Sequence, residues 1–444
     1  MHQRENSSEL IVAIATPPGR GGVGVVRLSG AGALGLAERF LGRAPTARHA
    51  HYLKFRDAAG EVIDDGLLLA FPAPHSFTGE DVVELQAHGS PIALAALVER
   101  CVGLGARPAR PGEFSERAYL NGKLDLVQAE AIADLIAAGS LEAARAARRS
   151  LDGAFSERVH ALANSVLHLR VYIEAAIDFP EEEIDFLRTD EVRQRFAAIE
   201  LDLHDLLAKA RGGQRLRDGL HIVVLGAPNV GKSSLLNALA QSDRAIVSPT
   251  AGTTRDVLRE WIDVGGVPVT LVDTAGLREH TEDAIEREGM RRARAEAERA
   301  DLALVVIAAG ESAPPIASDL PRILVRNKID LIGETARRES IDGIVHVHLS
   351  ARRGDGVDLL REAIVAHAGL DASGGTFSAR QRHLAALVAA QDDIKLAREQ
   401  VDAGSGELAA ESLRLAHQHL GDIVGQVSSD QLLGEIFSSF CIGK

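Results

Sequence analysis

Residues Gly226-Ala227-Pro228-Asn229-Val230-Gly231-Lys232-Ser233-Ser234 have the spacing of a phosphate-binding loop. An apolar run, His221–Leu225, precedes it and a helical run, Ser234–Leu239, follows, the strand–loop–helix context that such a loop requires. Gly226 and Gly231 let the backbone curl so that its N–H groups point at phosphate oxygens, reinforced by the helix N-terminus. Lys232 is placed for the β- and γ-phosphates and Ser233 for Mg²⁺. Asp273-Thr274-Ala275-Gly276 ends a second apolar strand, with Asp273 to support the metal and the Gly276 N–H to meet the γ-phosphate. Asn327-Lys328-Ile329-Asp330 follows a third. The Asp330 carboxylate can accept from guanine N1–H and the 2-amino group, a donor pair that adenine does not present. Ser350-Ala351-Arg352, after Val345–Leu349, completes a base pocket. Three motifs in this order at strand ends imply a guanine-nucleotide site with Mg²⁺ that turns GTP into GDP.

Ala251-Gly252-Thr253-Thr254-Arg255-Asp256 stands where a first switch belongs, with Thr254 as a second magnesium ligand. The whole block resembles the TrmE–Era class of GTPases. Ras-like enzymes place a water-orienting glutamine directly after the Asp-x-x-Gly segment; here Leu277 stands there and cannot orient water. A catalytic group must therefore come from elsewhere. Asn229 can offer its amide oxygen to a monovalent cation beside the phosphates, which would neutralise transition-state charge. Glu286 can orient or activate water, although taken alone it reads more readily as a solvated helical glutamate.

These motifs sit in a chain of 444 residues, long enough for about three domains at ~150 residues each. Hydrophobic content of 46% with 25% charged residues suits several packed cores. The net charge of −14 argues against a broad basic surface but leaves RNA open as a partner, since a local cluster or a partner subunit can supply cations; Arg145, Arg148 and Arg149 form such a cluster, which reads more readily as a solvated helix face. Two cysteines, Cys101 and Cys441, are too few for a disulfide framework, and no apolar run reaches the ~18–20 residues of a membrane span, so the expectation is a cytoplasmic protein with no membrane partner.

Residues 10–120 read as a compact α+β unit with strands at Ile11–Ala15, Val23–Leu28, Val62–Phe71 and Val82–Ala87 and a helix at Ile92–Cys101. From about Asp125 the chain turns to alanine- and leucine-rich helix. Val192, Phe196, Ile199, Leu203 and Leu206 share one helical face, Pro180 marks a break before it, and Arg211-Gly212-Gly213 closes it. Apolar strands at His221–Leu225, Val269–Asp273, Leu302–Ala308 and Ile323–Arg326 alternate with helical segments, as a doubly wound sheet requires. Near Gly374-Gly375 long helices return, with Leu384, Leu387, Val388, Ile394 and Val401 on one face and Leu413, Ala416, Leu420, Ile423 and Val424 on another. The fold class expected is α/β plus α: an N-terminal α+β domain over 1–122, a helical domain in two parts over 123–215 and 377–444, and an inserted Ras-like P-loop GTPase domain over 216–376. Gly19-Arg20-Gly21-Gly22-Val23-Gly24 formally matches a dinucleotide fingerprint, but Val25–Leu28 is β-like where a helix is needed, so these glycines are expected to make a tight inter-strand turn.

Several segments together resemble one family. Thr16-Pro17-Pro18-Gly19-Arg20-Gly21-Gly22-Val23-Gly24, Phe77-Thr78-Gly79-Glu80-Asp81, Pro111–Ala118, Leu120–Leu126, the inserted GTPase and the terminal Cys441-Ile442-Gly443-Lys444 all look like the TrmE (MnmE) family of tRNA-modifying GTPases. The resemblance implies a homodimer whose N-terminal domain binds a tetrahydrofolate derivative (5-formyl- or methylene-tetrahydrofolate) and forms the dimer surface. It further implies a heterotetramer-type complex with MnmG, which carries FAD, and tRNA as substrate. The reaction implied installs an aminomethyl or carboxymethylaminomethyl group on C5 of the wobble uridine at position 34. Arg27, Glu84 and Lys123 match the folate-contacting positions, with Lys444 reaching in from the C-terminus; cations suit folate's glutamate carboxylates, and a carboxylate suits the pterin N–H groups. Without the family, Arg27 and Glu84 read more readily as structural.

The family also implies K⁺-dependent pairing of GTPase domains, with Asn229 as a side-chain ligand and Ser248, Pro249, Thr250, Ala251, Gly252 and Thr253 as the loop that wraps the ion. Ser248, Thr250 and Thr253 supply its oxygens, and Arg255, Asp256 and Arg278 are switch positions. Cys441 stands where a nucleophile or redox thiol would act. Two other readings compete: a ribosome-assembly GTPase of the Era type, which the acidic balance disfavours, and a GTP-switched scaffold with no covalent role.

Overall fold

The computed structural model describes residues 9–178, 189–227, 229–241, 259–273, 300–311, 320–368, 377–426, 430–438, 440 and 443. The chain divides into two compact units, Met1–Ala133 with Gly421–Lys444, and Asp134–Leu420.

The first unit is built on a six-stranded sheet. Its strands are Ile11–Ile14 (β1), Gly21–Ser29 (β2), His51–Arg56 (β3), Val62–Phe71 (β4), Val82–Gly89 (β5) and Arg107–Pro108 (β6), in the order β3-β4-β5-β2-β1-β6. All neighbours are antiparallel except β1 and β6. Helices Ala33–Leu41 (α1) and Pro91–Gly103 (α2) cover one face, where Val12, Val26, Leu28, Leu68, Val83 and Leu85 meet Leu36, Leu94, Leu97 and Cys101. Side chains alternate between the two faces of a strand. Arg27, between Val26 and Leu28, and Glu84, between Val83 and Leu85, therefore share the other face as direct register partners. That face carries Ile11, Ala13, Ala109, Phe77 and Phe114, the last from helix Glu113–Leu120 (α3). Leu126–Ala137 (α4) follows, and its Leu126 and Ala129 pack with Ile436, Phe437 and Phe440 near the C-terminus.

One expectation is corrected here. Gly21, Gly22 and Gly24 do not form a turn; they begin β2, with a register shift between Gly21 and Gly24. A Cβ on Gly24 would stand 2.4 Å from Leu94 Cδ1, so the small residue lets α2 approach the sheet. Strand β3 carries neither an apolar run nor a clean alternation: His51–Arg56 mixes His, Lys and Arg with an exposed Tyr52, and among its apolar residues only Phe55 is fully buried.

The second unit contains helices Leu141–Leu151 (α5), Ala154–Asp178 (α6) and Asp190–Asp218 (α7), followed by a seven-stranded sheet. Thr189 caps α7, accepting from Val192 N–H, and the helix buries Val192, Phe196, Ile199, Leu203 and Leu206 as its periodicity requires. Arg211-Gly212-Gly213 does not close it; α7 runs to Asp218 and ends on Gly219 at φ 77°. A Cβ on Gly213 would lie 1.9 Å from the Phe377 carbonyl oxygen, so that glycine serves close packing rather than a break. The Pro180 break and Gly374-Gly375 lie outside the described residues.

The sheet comprises Leu220–Leu225 (β7), Arg259–Val264 (β8), Val267–Asp273 (β9), Leu302–Ala308 (β10), Arg322–Asn327 (β11), Arg337–Ile341 (β12) and Ile344–His348 (β13). Its order is β12-β13-β11-β10-β7-β9-β8, parallel except for the two edge strands β12 and β8. Those edges escaped the sequence reading because they are polar hairpin partners; Arg337–Ile341 is largely exposed. The buried strands are near-continuous apolar runs, as a parallel sheet covered on both faces demands. Lys232–Gln241 (α8) and Val357–His367 (α9) pack on it. Gln381–Asp402 (α10) then lies along α7, with Gln214 Nε2 donating to Gln381 Oε1 at 2.9 Å. The chain thus leaves and rejoins adjacent helices on either side of the α/β sheet, the geometry that tolerates an insertion. In α10, Leu384, Leu387, Ile394 and Val401 are buried, but Val388 is exposed instead of sharing their face. Among the described residues no helix is long and apolar enough to cross a membrane.

Candidate functional site

The phosphate loop joins β7 to α8. Gly226 and Gly231 take φ of 151° and 101°, and neither tolerates a side chain. A Cβ on Gly226 would lie 2.2 Å from Val306 O, and one on Gly231 2.2 Å from Asn327 Nδ2. Asn229 adopts a left-handed φ of 62°. The Lys232 ammonium donates to the carbonyls of Gly226 (2.8 Å) and Ala227 (3.0 Å), so it bridges the mouth of the loop. Ser233 and Ser234 are exposed on the first turn of α8. Asp273 ends β9, opposite Val224 on the strand that feeds the loop. A glycine-walled cradle at a helix N-terminus, a lysine across it and a hydroxyl on the first turn form a donor set that fits a nucleotide triphosphate with its magnesium.

The base-side segments are tied to this loop by hydrogen bonds. Asn327, 2% exposed at the end of β11, donates from Nδ2 to Val230 O at 2.9 Å. Its Oδ1 accepts from Lys328 N–H (2.8 Å) and Ala351 N–H (3.0 Å). Lys328, at a left-handed φ of 68°, donates from Nζ to Asn229 O at 2.6 Å. Ser350 Oγ donates to Asp330 Oδ1 at 2.7 Å, which aims one carboxylate edge and leaves the second oxygen for a base. Arg352 is exposed beside Ala351. Behind these segments the buried His348 ring sets Nδ1 3.1 Å from Glu334 and Nε2 2.8 Å from Glu339. The Arg337 guanidinium, with His348, holds the Glu334 carboxyl below its usual range. Sequence motifs alone point to the 327–330 and 350–352 segments but not to the part of Asn327, whose bonds to Val230 O and Ala351 N–H join segments far apart in the chain.

Several sequence-predicted residues lie outside the described residues: Ser248, Pro249, Thr250, Ala251, Gly252, Thr253, Thr254, Thr274, Ala275, Gly276, Glu286, Cys441 and Lys444, with Arg255, Asp256, Leu277 and Arg278.

In the first unit, Arg27 and Glu84 are brought together. Arg27 Nη2 lies 2.9 Å and Nε 3.0 Å from Glu84 Oε1. The guanidinium sits over the rings of Phe77 (5.6 Å) and Phe114 (5.9 Å), an arrangement that desolvates the cation while stabilising it. Lys123 donates to Pro74 O at 3.1 Å. Gly443 runs against the end of β1; a Cβ there would meet Ile14 O at 2.2 Å. The 77–81 and 111–118 motifs are largely scaffold. Arg117, 3% exposed, reaches Glu80 (3.0 Å), Glu113 (3.1 Å) and Glu9 O (2.8 Å), and Ser29 Oγ donates to Glu80 at 2.7 Å. Burial opposes the charge on Glu113, but the Arg107 guanidinium, the Arg110 N–H and Arg117 outweigh it and pull its carboxyl down to about 2. A cavity of about 980 Å³ between β1 and α2, with Glu99 as its one charged lining residue, is lined by Thr16, Pro17, Pro18 and Gly19 of the first family-like motif but by none of the residues expected to bind nucleotide, folate or metal.

Residues 10–123 match the family model for the GTP-binding protein TrmE N-terminus, and residues 126–441 match that for the MnmE helical domain. The chain is 56% identical to the tRNA modification GTPase MnmE of Xanthomonas campestris pv. campestris (strain B100), over 99% of each chain. It is 54% identical to the protein of that name from Stutzerimonas stutzeri (strain A1501), over 98% of this chain and 99% of the relative. A solved GTP-binding protein from Sulfolobus solfataricus in complex with GDP covers 59% of this chain and 78% of its own at 18% identity and a TM-score of 0.24, a likeness too slight to bear on the site.

Proposed function

The chain belongs to the MnmE (TrmE) family of tRNA modification GTPases, and on that footing we propose that it hydrolyses GTP to GDP within a K⁺-dependent homodimer. With MnmG and its FAD, it then modifies C5 of the wobble uridine in tRNA using a tetrahydrofolate-borne one-carbon unit. The observation that carries the GTPase part is the Asn327 and Lys328 junction, which binds phosphate loop and base loop into one cradle.

In hydrolysis, water attacks the γ-phosphorus, the bond to the β-phosphate oxygen breaks, and GDP and inorganic phosphate leave. The loop N–H groups and Lys232 hold the phosphates, and Asp330, oriented by Ser350, selects guanine. Ser233, Thr254 and Asp273 are the residues to hold magnesium, which supplies neutralisation of the β- and γ-oxygens. Asn229, with Ser248, Thr250 and Thr253, is the set to hold potassium, which supplies the positive charge that an arginine finger supplies elsewhere. Glu286 orients the water that Leu277 cannot. Arg27 with Glu84 supports the folate reading: a cation and a carboxylate side by side on an aromatic floor match the two charge types of that ligand, and Lys123 and Lys444 complete the proposed set. Cys441 is proposed as a thiol acting near the uridine.

Nucleoside analysis of tRNA from cells lacking the protein tests the reading. Loss of the C5 substituent at position 34, restored by the wild-type chain and not by Lys232→Ala, is expected. Unaltered wobble uridines in the deletion strain would overturn it.

A further inference from the structure

The β8–β9 hairpin lies in sequence between Thr254 and the Asp273–Gly276 segment, the two stretches proposed to meet the metal and the γ-phosphate. Its turn, Gly265–Gly266, rests on the first turn of α5. Ser140 is the α5 N-cap and is buried; its Oγ accepts from Ala143 N–H at 3.1 Å and donates to Gly266 O at 2.6 Å. A hydroxyl has one proton and two lone pairs, so a single atom serves both the helix end and the hairpin tip. The fit is close. Gly266 has φ 92°, a Cβ there would lie 2.5 Å from Glu142 Cγ, and the turn is closed by Gly266 N–H donating to Asp263 Oδ1 at 2.6 Å.

Six positions before Ser140 in the chain stands the pivot. Asp134, at 5% side-chain exposure, accepts from Arg217 Nε (2.8 Å) and Arg380 Nη2 (2.7 Å) on Oδ1 and from Ser378 Oγ (3.2 Å) on Oδ2. Arg217 lies just before β7 and Arg380 just before α10, so the ingoing and outgoing chain of the α/β sheet is held at one carboxylate. Arg215 Nη1 adds a bond to His367 O at 2.7 Å, and Ser378 N–H donates to Ala146 O of α5 at 3.2 Å. With both chain ends held at one carboxylate, the domain can turn about that point but the hairpin tip, away from it, bears on Ser140. A displacement of the tip must either break the Ser140–Gly266 bond, leaving a carbonyl without its partner, or drag the start of α5 with it.

We infer that Ser140 is a positioning residue of the GTPase cycle: its hydroxyl couples the β8–β9 hairpin to the N-terminus of α5, so that nucleotide state is transmitted into the helical part of the chain through this contact, against the fixed point at Asp134. This rests on the GTPase reading above and names the residue that carries its signal.

Amide hydrogen exchange across 141–151 in the full-length chain, with GDP and with guanosine β,γ-imidotriphosphate, tests it alongside GTP turnover. Ser140→Thr keeps both cap and donor. Ser140→Asp keeps the cap but cannot donate to Gly266 O. Gly266→Ala disturbs the contact from the other side by meeting Glu142. Exchange in α5 should depend on the nucleotide in the wild type and in Ser140→Thr. That dependence should be lost in Ser140→Asp and in Gly266→Ala while GTP is still hydrolysed. A wild-type α5 indifferent to the nucleotide, or a Ser140→Asp chain with the full wild-type difference, overturns the inference while turnover persists. Absence of turnover in the wild type instead overturns the GTPase reading itself.

Discussion

Replacing Asn327 by alanine removes one of the two side-chain links between the phosphate and base segments, leaving that of Lys328, and the size of the effect can be worked from three bonds. Val230 O loses a donor at 2.9 Å, and the N–H groups of Lys328 and Ala351 lose an acceptor at 2.8 and 3.0 Å. A buried backbone group left without a partner costs about 1–3 kcal/mol. The low end applies here because Lys328 is only half-buried and water can reach its N–H. Three groups at ~1 kcal/mol each give about 3 kcal/mol, a cost that falls on binding because the nucleotide must then close the loosened cradle; at ~1.4 kcal/mol per tenfold it is a loss of about 100-fold in nucleotide affinity. Asn327→Asp sharpens the test. Its carboxylate still accepts from both N–H groups but sets an anionic oxygen against Val230 O, so it should bind no better than the alanine variant. Titration of a fluorescent GDP analogue into the full-length chain, with thermal unfolding run in parallel, reads both variants. GDP affinity within about threefold of wild type for Asn327→Ala would refute the argument, since less than 1 kcal/mol would then reside in the junction.

GTP turnover is expected to collapse when K⁺ is exchanged for Na⁺ at constant ionic strength; equal rates in the two salts would remove the proposed cation from the mechanism. The Glu113 carboxyl has a folded pKa of about 2, below its ordinary 4.5. The stability it contributes is therefore complete above pH 4.5 and is lost as pH falls towards 2. Urea titrations at stepwise lower pH should show wild type losing more stability across that window than Glu113→Gln, and parallel curves would contradict the assignment. Burial raises the Cys101 thiol to about 12 despite the neighbouring Arg100, so peptide mapping should find it unalkylated by iodoacetamide at pH 8 in the native chain and alkylated in urea. Asp330→Ala should weaken GTP far more than ATP and so erase the preference between them, as measured by competition binding.

The GTPase chemistry was legible in the linear chain because it is local. A phosphate loop needs glycines within a short stretch of backbone, and Asp330, the carboxylate proposed to select guanine, follows its strand by three residues, so spacing alone points to them. The buried parallel strands were legible for the same reason: covered on both faces, they are continuous apolar runs. Strands β3, β8 and β12 were not, since a strand with a polar partner face or a solvent edge has no such run. Glycines proved ambiguous. Gly212-Gly213 reads as a helix end, but only the Phe377 carbonyl at 1.9 Å from a Cβ on Gly213 explains it within α7, and that neighbour is far along the chain. Tertiary structure alone decided that Arg27 and Glu84 are register partners over Phe77 and Phe114, that Asn327 joins the two halves of the nucleotide cradle, and that Asp134 gathers Arg217, Arg380 and Ser378. Each of those depends on side chains meeting across long sequence separations. Composition and periodicity say which face a residue takes, but only the packed chain determines which partner waits there.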